Sequence, residues 1–213
     1  MQPETPSPSP LPDMPCVILA GGRSRRFGSD KAFAELGGQR LIDIIVQKLA
    51  AQTAGPIAVN AAKARDYADL SLPLLPDRLS GHLGPLAGLH AALCWAETRG
   101  YEAVITTPVD TPLLPIDFVS RLTDGPMPVV AGSRGRAHPI HGIWPTALHT
   151  ELAAVVRDGM RAARDWQIAC AAQLCDFPDE DASDPFANIN RPEELVDLQK
   201  FEAVLKAGNR ATP

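Results

Sequence analysis

Short runs of apolar residues alternate along this chain with segments that have helical spacing, and this alternation limits the possible fold more than any other feature. The first run, CVILA at 16–20, is continuous and of strand length, as expected for a strand that is buried on both faces of a sheet. Strands separated by helices form parallel βαβ units, and helices then cover both faces of the sheet. The pattern therefore predicts an α/β protein, a Rossmann-like three-layer α/β/α sandwich with a mostly parallel central sheet.

Turn residues and helix signals set the predicted boundaries. Gly55-Pro56 ends a helix in which Leu41, Ile42, Ile44, Ile45 and Leu49 recur at helical spacing. Gly84-Pro85 begins another helix, which ends at Gly100, and Asn190-Arg191-Pro192-Glu193 begins the last one. The predicted strands cover 16–20, 56–60, 72–76, 103–107, 128–131, 139–144 and 174–177, and the predicted helices cover 40–52, 62–69, 84–99, 115–123, 146–157, 160–171 and 190–206.

Glycine or polar residues follow four of the predicted strands. They are the pair Gly21-Gly22 after the first strand, Asn60 after the second, Asp77 after the third and Asp110 after the fourth. In open parallel sheets, ligands bind outside the carboxyl ends of the strands, at the point where the strand order reverses. We therefore expect these positions to surround a binding site.

The first of these strand ends continues into the loop LAGGRSRRFGSDK at 19–31, which resembles a phosphate site. Its glycines fit neither the dinucleotide spacing G-x-G-x-x-G nor the P-loop spacing G-x-x-x-x-G-K-[ST]. The glycine pair lets backbone amides approach a ligand, and Arg23, Arg25, Arg26 and Lys31 add positive charge. The loop is long enough to cover several phosphates, although a solvated basic loop with a turn glycine would have the same composition.

Asp110, in the segment TTPVDTP, is the candidate metal ligand. A carboxylate at the end of a buried strand suits Mg²⁺, which typically takes one or two carboxylates together with phosphate oxygens and water. The residue could instead cap the following helix. Asp77 is open to two interpretations as well, because Pro-Asp is common in ordinary turns. We expect the glycines Gly81, Gly84 and Gly88 to form a flexible lip on the same side.

A phosphate loop, a strand-end aspartate and a nearby lysine together indicate metal-assisted nucleotidyl transfer. If the attacking group is a phosphate, its second pKa of about 6 makes it largely dianionic at neutral pH, so that no general base is needed. This agrees with a sequence that shows no obvious Ser-His-Asp or Cys-His arrangement. His138 and His141 are three positions apart on a predicted strand, which should direct them to opposite faces and prevent a shared metal ion.

Composition excludes some partners. The chain has 213 residues, 45% of them hydrophobic and 21% charged, and a net charge of −5, so it offers no general attraction to nucleic acid or to an anionic membrane. No apolar run reaches the ~20 residues that span a bilayer, and the first residues lack the order of a secretory signal, which favours the cytoplasm. Cys16, Cys94, Cys170 and Cys175 form no C-x-x-C pair, so we expect incidental thiols, with metal or redox use as the alternatives.

Three regions are predicted. Residues 1–13 are rich in proline and serine and should form a disordered tail, residues 14–206 should form one catalytic domain, and residues 207–213 should fray.

Five segments resemble one family in both sequence and order. LAGGRSRRFGSDK resembles the signature L-A-G-G-x-S-x-R-[MF]-G-x-x-K of the molybdenum cofactor guanylyltransferases, the MobA family of nucleotidyltransferases. PDRLSGHLGPLAG, TTPVDTP, HPIHGIWP and DPFANINRPEEL are similar to later family segments, so that the resemblance spans most of 15–200. The last of these makes the match more specific than the first motif alone.

The resemblance implies an enzyme that transfers GMP from GTP to the terminal phosphate of molybdenum-molybdopterin, with Mg²⁺ as cofactor, and releases pyrophosphate. It also implies partner proteins that deliver the cofactor or mature molybdoenzymes. Catalysis is assigned to Lys31, Asp110 and Arg26, the metal to Asp110, and the pterin side to Asn188 and Asn190. The residues assigned to GTP are Leu19, Ala20, Gly21, Gly22, Lys31, Asn60, Asp77 and Asp110.

The expected preference for guanine over cytosine depends on Gly22. Cytidylyltransferase relatives typically have L-A-A-G where this chain has LAGG, so the second glycine favours guanine. A cytidylyltransferase or another small nucleotidyltransferase is the alternative within the group, and a GTP-binding module without catalysis is the alternative outside it. A dehydrogenase is disfavoured because the dinucleotide spacing is absent.

Overall fold

A computed structural model of the chain describes residues 10–21, 31–61, 64–81, 83–178, 184–189 and 194. The strands in it are β1 (Cys16–Leu19), β2 (Glu35–Leu36), β3 (Gln39–Arg40), β4 (Ile57–Asn60), β5 (Leu74–Leu75), β6 (Ala103–Pro108), β7 (Val129–Ser133), β8 (Arg136–Pro145) and β9 (Gln173–Asp176). The α-helices are α1 (Leu41–Ala50), α2 (Pro85–Glu97), α3 (Phe118–Thr123), α4 (His149–Arg157) and α5 (Ala163–Ala169).

A central sheet of seven strands has the order β5-β4-β1-β6-β8-β7-β9. The strands β5, β4, β1 and β6 are parallel, β8 is antiparallel to both of its neighbours, and β9 is parallel to β7. The mostly parallel sheet predicted from the alternation is therefore confirmed. The chain moves from β1 outward to β4 and β5 and then returns to β6 on the other side of β1, so the strand order reverses between β1 and β6.

Two apolar cores cover the two faces of this sheet. Side chains of β1 alternate between them, since Ile18 packs in the core with α1 and α3, whereas Val17 packs in the core with α2, α4 and α5. Residues 86–96 of α2 are all buried, because this helix lies between the sheet and other helices. The predicted three-layer arrangement is thus observed.

Proline explains why the third predicted strand is short. Only Leu74 and Leu75 pair with β4, and they lie between Pro73 and Pro76, which cannot donate a ladder hydrogen bond. The remaining predicted strands correspond to observed ones within about two residues, with the exception of 139–144, which begins three residues earlier as β8.

The observed helices differ from the predicted ones more than the strands do. The segment predicted at 62–69 forms a 3₁₀ helix at Ala64–Leu70, and the helix predicted at 115–123 begins only at Phe118. Another 3₁₀ turn, Thr146–Leu148, precedes α4. The helix predicted at 190–206 lies outside the described residues, apart from Glu194.

A two-stranded hairpin, β2–β3, was not predicted. Gly37 and Gly38 connect its strands with φ angles of 61° and 81°, which glycine adopts without strain. It follows a 3₁₀ turn at Lys31–Phe33 and leads directly into α1.

The predicted N-terminal tail is anchored at its end. The carbonyl oxygen of Pro12 accepts hydrogen bonds from the Thr53 hydroxyl and from the Ala54 amide, both at 2.9 Å, and Asp13 accepts one from the Tyr101 hydroxyl. Residues 12 and 13 are therefore held against the domain, and residues 1–9 of the predicted tail lie outside the described part of the chain. None of the helices within the described residues combines the length and the apolar composition that a membrane-spanning helix requires.

Candidate active site

The reversal of strand order brings three chain segments together at one edge of the sheet. Leu19, the last residue of β1, is in register with Asn60 of β4 on one side and with Pro108 of β6 on the other. The Val109 amide donates to the Leu19 carbonyl over 3.2 Å, which holds the end of β6 beside the end of β1. The residues that leave these strands therefore emerge side by side, as expected at a topological switch point.

Lys31 and Asp110 form an ion pair at this edge. Lys31 Nζ lies 2.8 Å from Asp110 Oδ2, and the two side chains are 12% and 21% exposed. Seventy-nine positions separate them in sequence, so the fold rather than local structure brings them together. Partial burial reduces solvent screening of this pair, and an anion that enters the crevice would meet the ammonium group beside the carboxylate.

The alternative role of Asp110 as a helix cap is not observed. Helix α3 begins at Phe118, and the residue at its N-cap position is Asp117. Asp110 Oδ1 accepts no hydrogen bond from the described residues, whereas Oδ2 is paired with Lys31. One oxygen of a rigidly placed carboxylate is thus available to a hard cation.

Asn60 and Asp77 come together on the other side of β1. Asn60 Nδ2 donates to the Leu75 carbonyl over 2.9 Å and to Asp77 Oδ1 over 3.0 Å. Asn60 is only 3% exposed, whereas Asp77 is exposed. The buried amide therefore fixes a carboxylate beside the ends of β4 and β5, and Asp77 is more than an isolated turn residue.

Two glycines leave room for the Asn60 side chain. A Cβ on Gly21 would lie 3.3 Å from Asn60 Oδ1, and a Cβ on Gly88 would collide with the same oxygen. The interpretation of Gly88 as part of a flexible lip is wrong, because this residue is buried inside α2. An isolated glycine within a helical pattern often has such a packing reason, which is the signal that sequence reasoning missed.

A buried histidine supports the loop that carries Asp110. Thr111 Oγ1 lies 2.9 Å from His141 Nε2 and also donates to the Pro108 carbonyl. Burial lowers the pKa of His141 well below its ordinary value of 6.5, and the charge of His138 acts in the same direction. His141 is therefore neutral at pH 7, which suits a group held within the core by one hydroxyl and by the rings of Phe118 and Phe186.

The segment 184–189 packs against the same loop. The Ile189 amide donates to the Asp110 carbonyl over 2.9 Å, while Asp184 Oδ1 accepts hydrogen bonds from the Ser133 hydroxyl and from the Phe186 amide. Asn188, the preceding residue, is exposed. The structure thus brings the predicted pterin-side segment next to the predicted metal ligand, although no sequence signal indicated the Ser133–Asp184 contact.

His138 and His141 lie close together instead of facing opposite sides, so the prediction from their spacing is wrong. A bulge in the β7–β8 pairing shifts the register between Val130 and Ala131, and the two rings lie 5.8 Å apart. Each Nε2 atom has its own hydroxyl partner, because His138 contacts Ser133 and His141 contacts Thr111. Burial lowers the pKa of His138, and the nearby Asp184 carboxylate opposes this effect.

Some predicted site residues lie outside the described residues. They are Gly22, Arg26 and Asn190, together with the loop cations Arg23 and Arg25. The positions that the structure does gather around the ends of β1, β4 and β6 are Leu19, Ala20, Gly21, Lys31, Asn60, Asp77 and Asp110.

Sequence comparison relates the chain to a family of known proteins. Residues 16–172 match the model of the MobA-like NTP transferase domain. The chain is 38% identical to the molybdenum cofactor guanylyltransferase of Rhizobium rhizogenes, with 91% of this chain and 94% of that protein covered. It is 40% identical to the protein of the same name from Cereibacter sphaeroides, with 89% and 96% covered.

Solved structures share the fold. The molybdopterin-guanine dinucleotide biosynthesis protein A of Archaeoglobus fulgidus superposes with a TM-score of 0.67 at 20% identity, covering 89% of this chain and 99% of that one. The 2-C-methyl-D-erythritol 4-phosphate cytidylyltransferase of Thermus thermophilus has a TM-score of 0.58 at 18% identity, with 88% and 98% covered. The chain therefore shares its fold with these two proteins. The matching domain and the identity over nearly the whole chain show that this protein belongs to the MobA-like NTP transferases, in the molybdenum cofactor guanylyltransferase family.

Proposed function

We propose that the protein transfers GMP from GTP to the terminal phosphate of molybdenum-molybdopterin. The products are the guanine dinucleotide form of the cofactor and pyrophosphate. The observation that carries this proposal is the Lys31–Asp110 pair at the β1–β6 switch point, in a chain that belongs to the guanylyltransferase family. Proteins that deliver molybdopterin or accept the dinucleotide would be further partners.

The reaction exchanges one phosphoanhydride bond for another. An oxygen of the acceptor phosphate bonds to the α-phosphorus of GTP, and the bond from that phosphorus to the pyrophosphate oxygen breaks. Since the second pKa of a phosphate monoester is about 6, the acceptor is largely dianionic at neutral pH and needs no side chain to remove a proton. The protein must instead hold two anions together and stabilise the charge that develops on the leaving pyrophosphate.

Lys31 is suited to that electrostatic task. Its ammonium group is mostly buried and is held in place by Asp110, so little side-chain freedom is lost when a phosphate binds. Arg26, in the same loop of the sequence, would add charge on the triphosphate.

Asp110 fits Mg²⁺, which would neutralise charge on the phosphate oxygens when bound. The donor is a hard carboxylate oxygen, and its backbone is fixed on both sides by the hydrogen bonds of Val109 and Ile189. Asp110 would hold the ion with one oxygen and orient Lys31 with the other.

The nucleoside would lie along the ends of β1 and β4. Backbone groups of Leu19, Ala20, Gly21 and Gly22 would contact the nucleotide, since glycine allows close approach. The exposed Asp77 carboxylate can accept two hydrogen bonds, as ribose hydroxyls or the N–H groups of guanine would require, and Asn60 holds it in place.

The acceptor would lie on the other side of Asp110. Asn188 is exposed beside Ile189, whose amide is bonded to the Asp110 backbone, and Asn190 follows two positions later. Amide side chains offer both donors and acceptors, which suits the polar edge of a pterin.

A nucleotide panel tests the proposal. Purified protein receives Mg²⁺, molybdenum-loaded molybdopterin and one of GTP, CTP, ATP or UTP, and pyrophosphate release is measured. The proposal predicts release with GTP at a rate at least tenfold above the other nucleotides. Equal or faster turnover with CTP would assign a cytidylyltransferase, and GTP binding without pyrophosphate release would assign a module without catalysis.

A further inference from the structure

A second cluster of potential ligands lies in the helical layer, on α2 and α4. His90 and Cys94 are four positions apart and therefore share one face of α2, and His149 is the first residue of α4. Each of the three residues presents a ligand atom, and these atoms all lie within 4.8 Å of one another. The nucleotidyl transfer described above uses none of them.

His90 lacks the partners that a buried imidazole normally has. It is 7% exposed, and its Nδ1 atom has no hydrogen-bond partner among the described residues. Its Nε2 atom contacts only the Cys94 sulfur in that part of the chain, at 3.6 Å. Because buried polar side chains are nearly always hydrogen-bonded and a thiol is a weak partner, this arrangement calls for an explanation.

The distance between sulfur and nitrogen suits tetrahedral coordination. With Zn–S of ~2.3 Å and Zn–N of ~2.0–2.1 Å, adjacent ligand atoms of a tetrahedral zinc site are about 3.5 Å apart. Cys94 Sγ and His90 Nε2 are 3.6 Å apart, so one metal ion could bind both without movement of the helix. The side chain of His149 is 28% exposed, so complete burial does not prevent a rotation of its ring toward the other two.

A carboxylate next to His149 makes this histidine more similar to one that binds a metal ion. Glu97 Oε1 lies 3.2 Å from His149 Nε2. Histidines that bind metals commonly donate their other ring N–H to a carboxylate, which fixes the tautomer and the orientation of the ring.

We propose that His90, Cys94 and His149 form a binding site for a transition-metal cation of the Zn²⁺ type, with water as the fourth ligand. On binding, the Cys94 thiol releases its proton to solvent and a metal–thiolate bond forms, with no change in oxidation state. Nitrogen and sulfur ligands select such cations over Mg²⁺, which prefers oxygen, so the site is chemically distinct from Asp110. The metal would join α2 to α4, which already pack together.

Positive charge nearby disfavours the binding of a cation at this site. Burial is the main cause that lowers the pKa of His90, and the charges of His149, Arg78 and Arg157 act in the same direction. The thiolate formed at Cys94 offsets part of this charge. The competing explanation is a weak thiol–imidazole hydrogen bond within α2 and a separate His149–Glu97 pair.

Cobalt titration distinguishes the two explanations. The full-length protein is freed of metal with a chelator and titrated with Co²⁺. The proposal predicts one equivalent bound, with a thiolate-to-cobalt charge-transfer band and the visible bands of a tetrahedral ion, and displacement by Zn²⁺. Added Zn²⁺ should also raise the melting temperature.

Variants locate the site. Cys94→Ser should abolish the charge-transfer band, and His149→Ala, at a partly exposed position that should not disturb folding, should weaken Co²⁺ binding by about tenfold or more. Cys175→Ser is the matched control, because this thiol packs in the core on the other face of the sheet and its loss should leave the band intact. The proposal fails if wild type shows no such band, if Cys94→Ser retains it, or if His149→Ala binds Co²⁺ as tightly as wild type.

Discussion

At the scale of single residues, the account depends most on the ion pair between Lys31 and Asp110, whose charged atoms are 2.8 Å apart. Asp110→Asn keeps the shape of the side chain but removes its charge, so the proposed metal ligand and the ion pair that orients Lys31 are both lost. We expect kcat for pyrophosphate release to fall by about 10²–10³, the range found when one electrostatic contact to a transition state is removed.

Asp117→Asn is the control for that variant. Asp117 is also a carboxylate in the segment between β6 and α3, but its side chain is 43% exposed and is paired with Arg121. Circular dichroism should show unchanged folds for both variants, and activity of Asp110→Asn within twofold of wild type would mean that the metal is held elsewhere.

Variants of Asn60 and Asn188 distinguish the proposed nucleotide side of the site from the proposed acceptor side. Asn60→Ala removes the donor that holds Asp77, so we expect calorimetry to show GTP binding weakened by about tenfold, the loss that corresponds to one hydrogen bond of ~1.4 kcal/mol. Asn188→Ala should leave GTP binding unchanged and raise the KM for molybdopterin. The reverse pattern would exchange the two sides of the proposed site.

At the scale of elements, α2 must approach β1 and β4 closely for Asn60 to be buried. A Cβ on Gly88 would collide with Asn60 Oδ1 and lie 3.3 Å from Leu19 Cδ2. Gly88→Ala should therefore lower the free energy of unfolding by about 1–3 kcal/mol, as overpacking does, despite a gain in helix propensity of up to ~1 kcal/mol.

The control for Gly88→Ala is Gly125→Ala, since a Cβ on Gly125 would meet nothing within 4 Å. Chemical denaturation measures both variants. If Gly88→Ala is as stable as wild type and binds GTP equally well, the helix and Asn60 are not coupled in this way.

Helices and strands with a clear pattern of apolar residues could be predicted from the sequence. Elements that depend on how two strands pair could not. The continuous apolar runs of β1 and β6 gave the strand ends and hence Asp110, because a strand buried on both faces needs apolar residues throughout. The strands β2 and β3 have two residues each, too few for a period to appear.

The supporting contacts of the site could not be predicted for a related reason. The bulge in β7–β8 depends on how two strands pair, so the sequence spacing of His138 and His141 gave the wrong relative orientation. The Thr111–His141 hydrogen bond joins residues 30 positions apart and depends on the same pairing.

At the scale of the whole molecule, stability should decrease at mildly acidic pH. His141 is neutral when folded because burial lowers its pKa well below 6.5, whereas in the unfolded chain it binds a proton at about 6.5. The unfolded state thus binds more protons below this pH. The stability present above pH 6.5 is lost as the pH falls toward the folded-state pKa, by up to about 1.4 kcal/mol per pH unit for this residue.

This pH dependence is checked by measuring the free energy of unfolding in urea between pH 5 and pH 8, for wild type and for His141→Gln. The difference in stability between wild type and variant should be constant above pH 7, where the histidine is neutral in both states, and should shrink below pH 6.5. Parallel curves over the whole range would contradict the assignment of a buried neutral histidine.

The position of an isotopic label in the products tests the central claim most directly, namely that the crevice between β1 and β6 catalyses guanylyl transfer. GTP labelled at the α-phosphate or at the γ-phosphate is incubated with Mg²⁺, molybdenum-loaded molybdopterin and either wild type or Asp110→Asn. The account predicts that wild type places the α-label in the pterin dinucleotide and the γ-label in pyrophosphate, and that Asp110→Asn does so far more slowly. Transfer of the γ-label to the pterin, or release of the γ-label as orthophosphate, would contradict it.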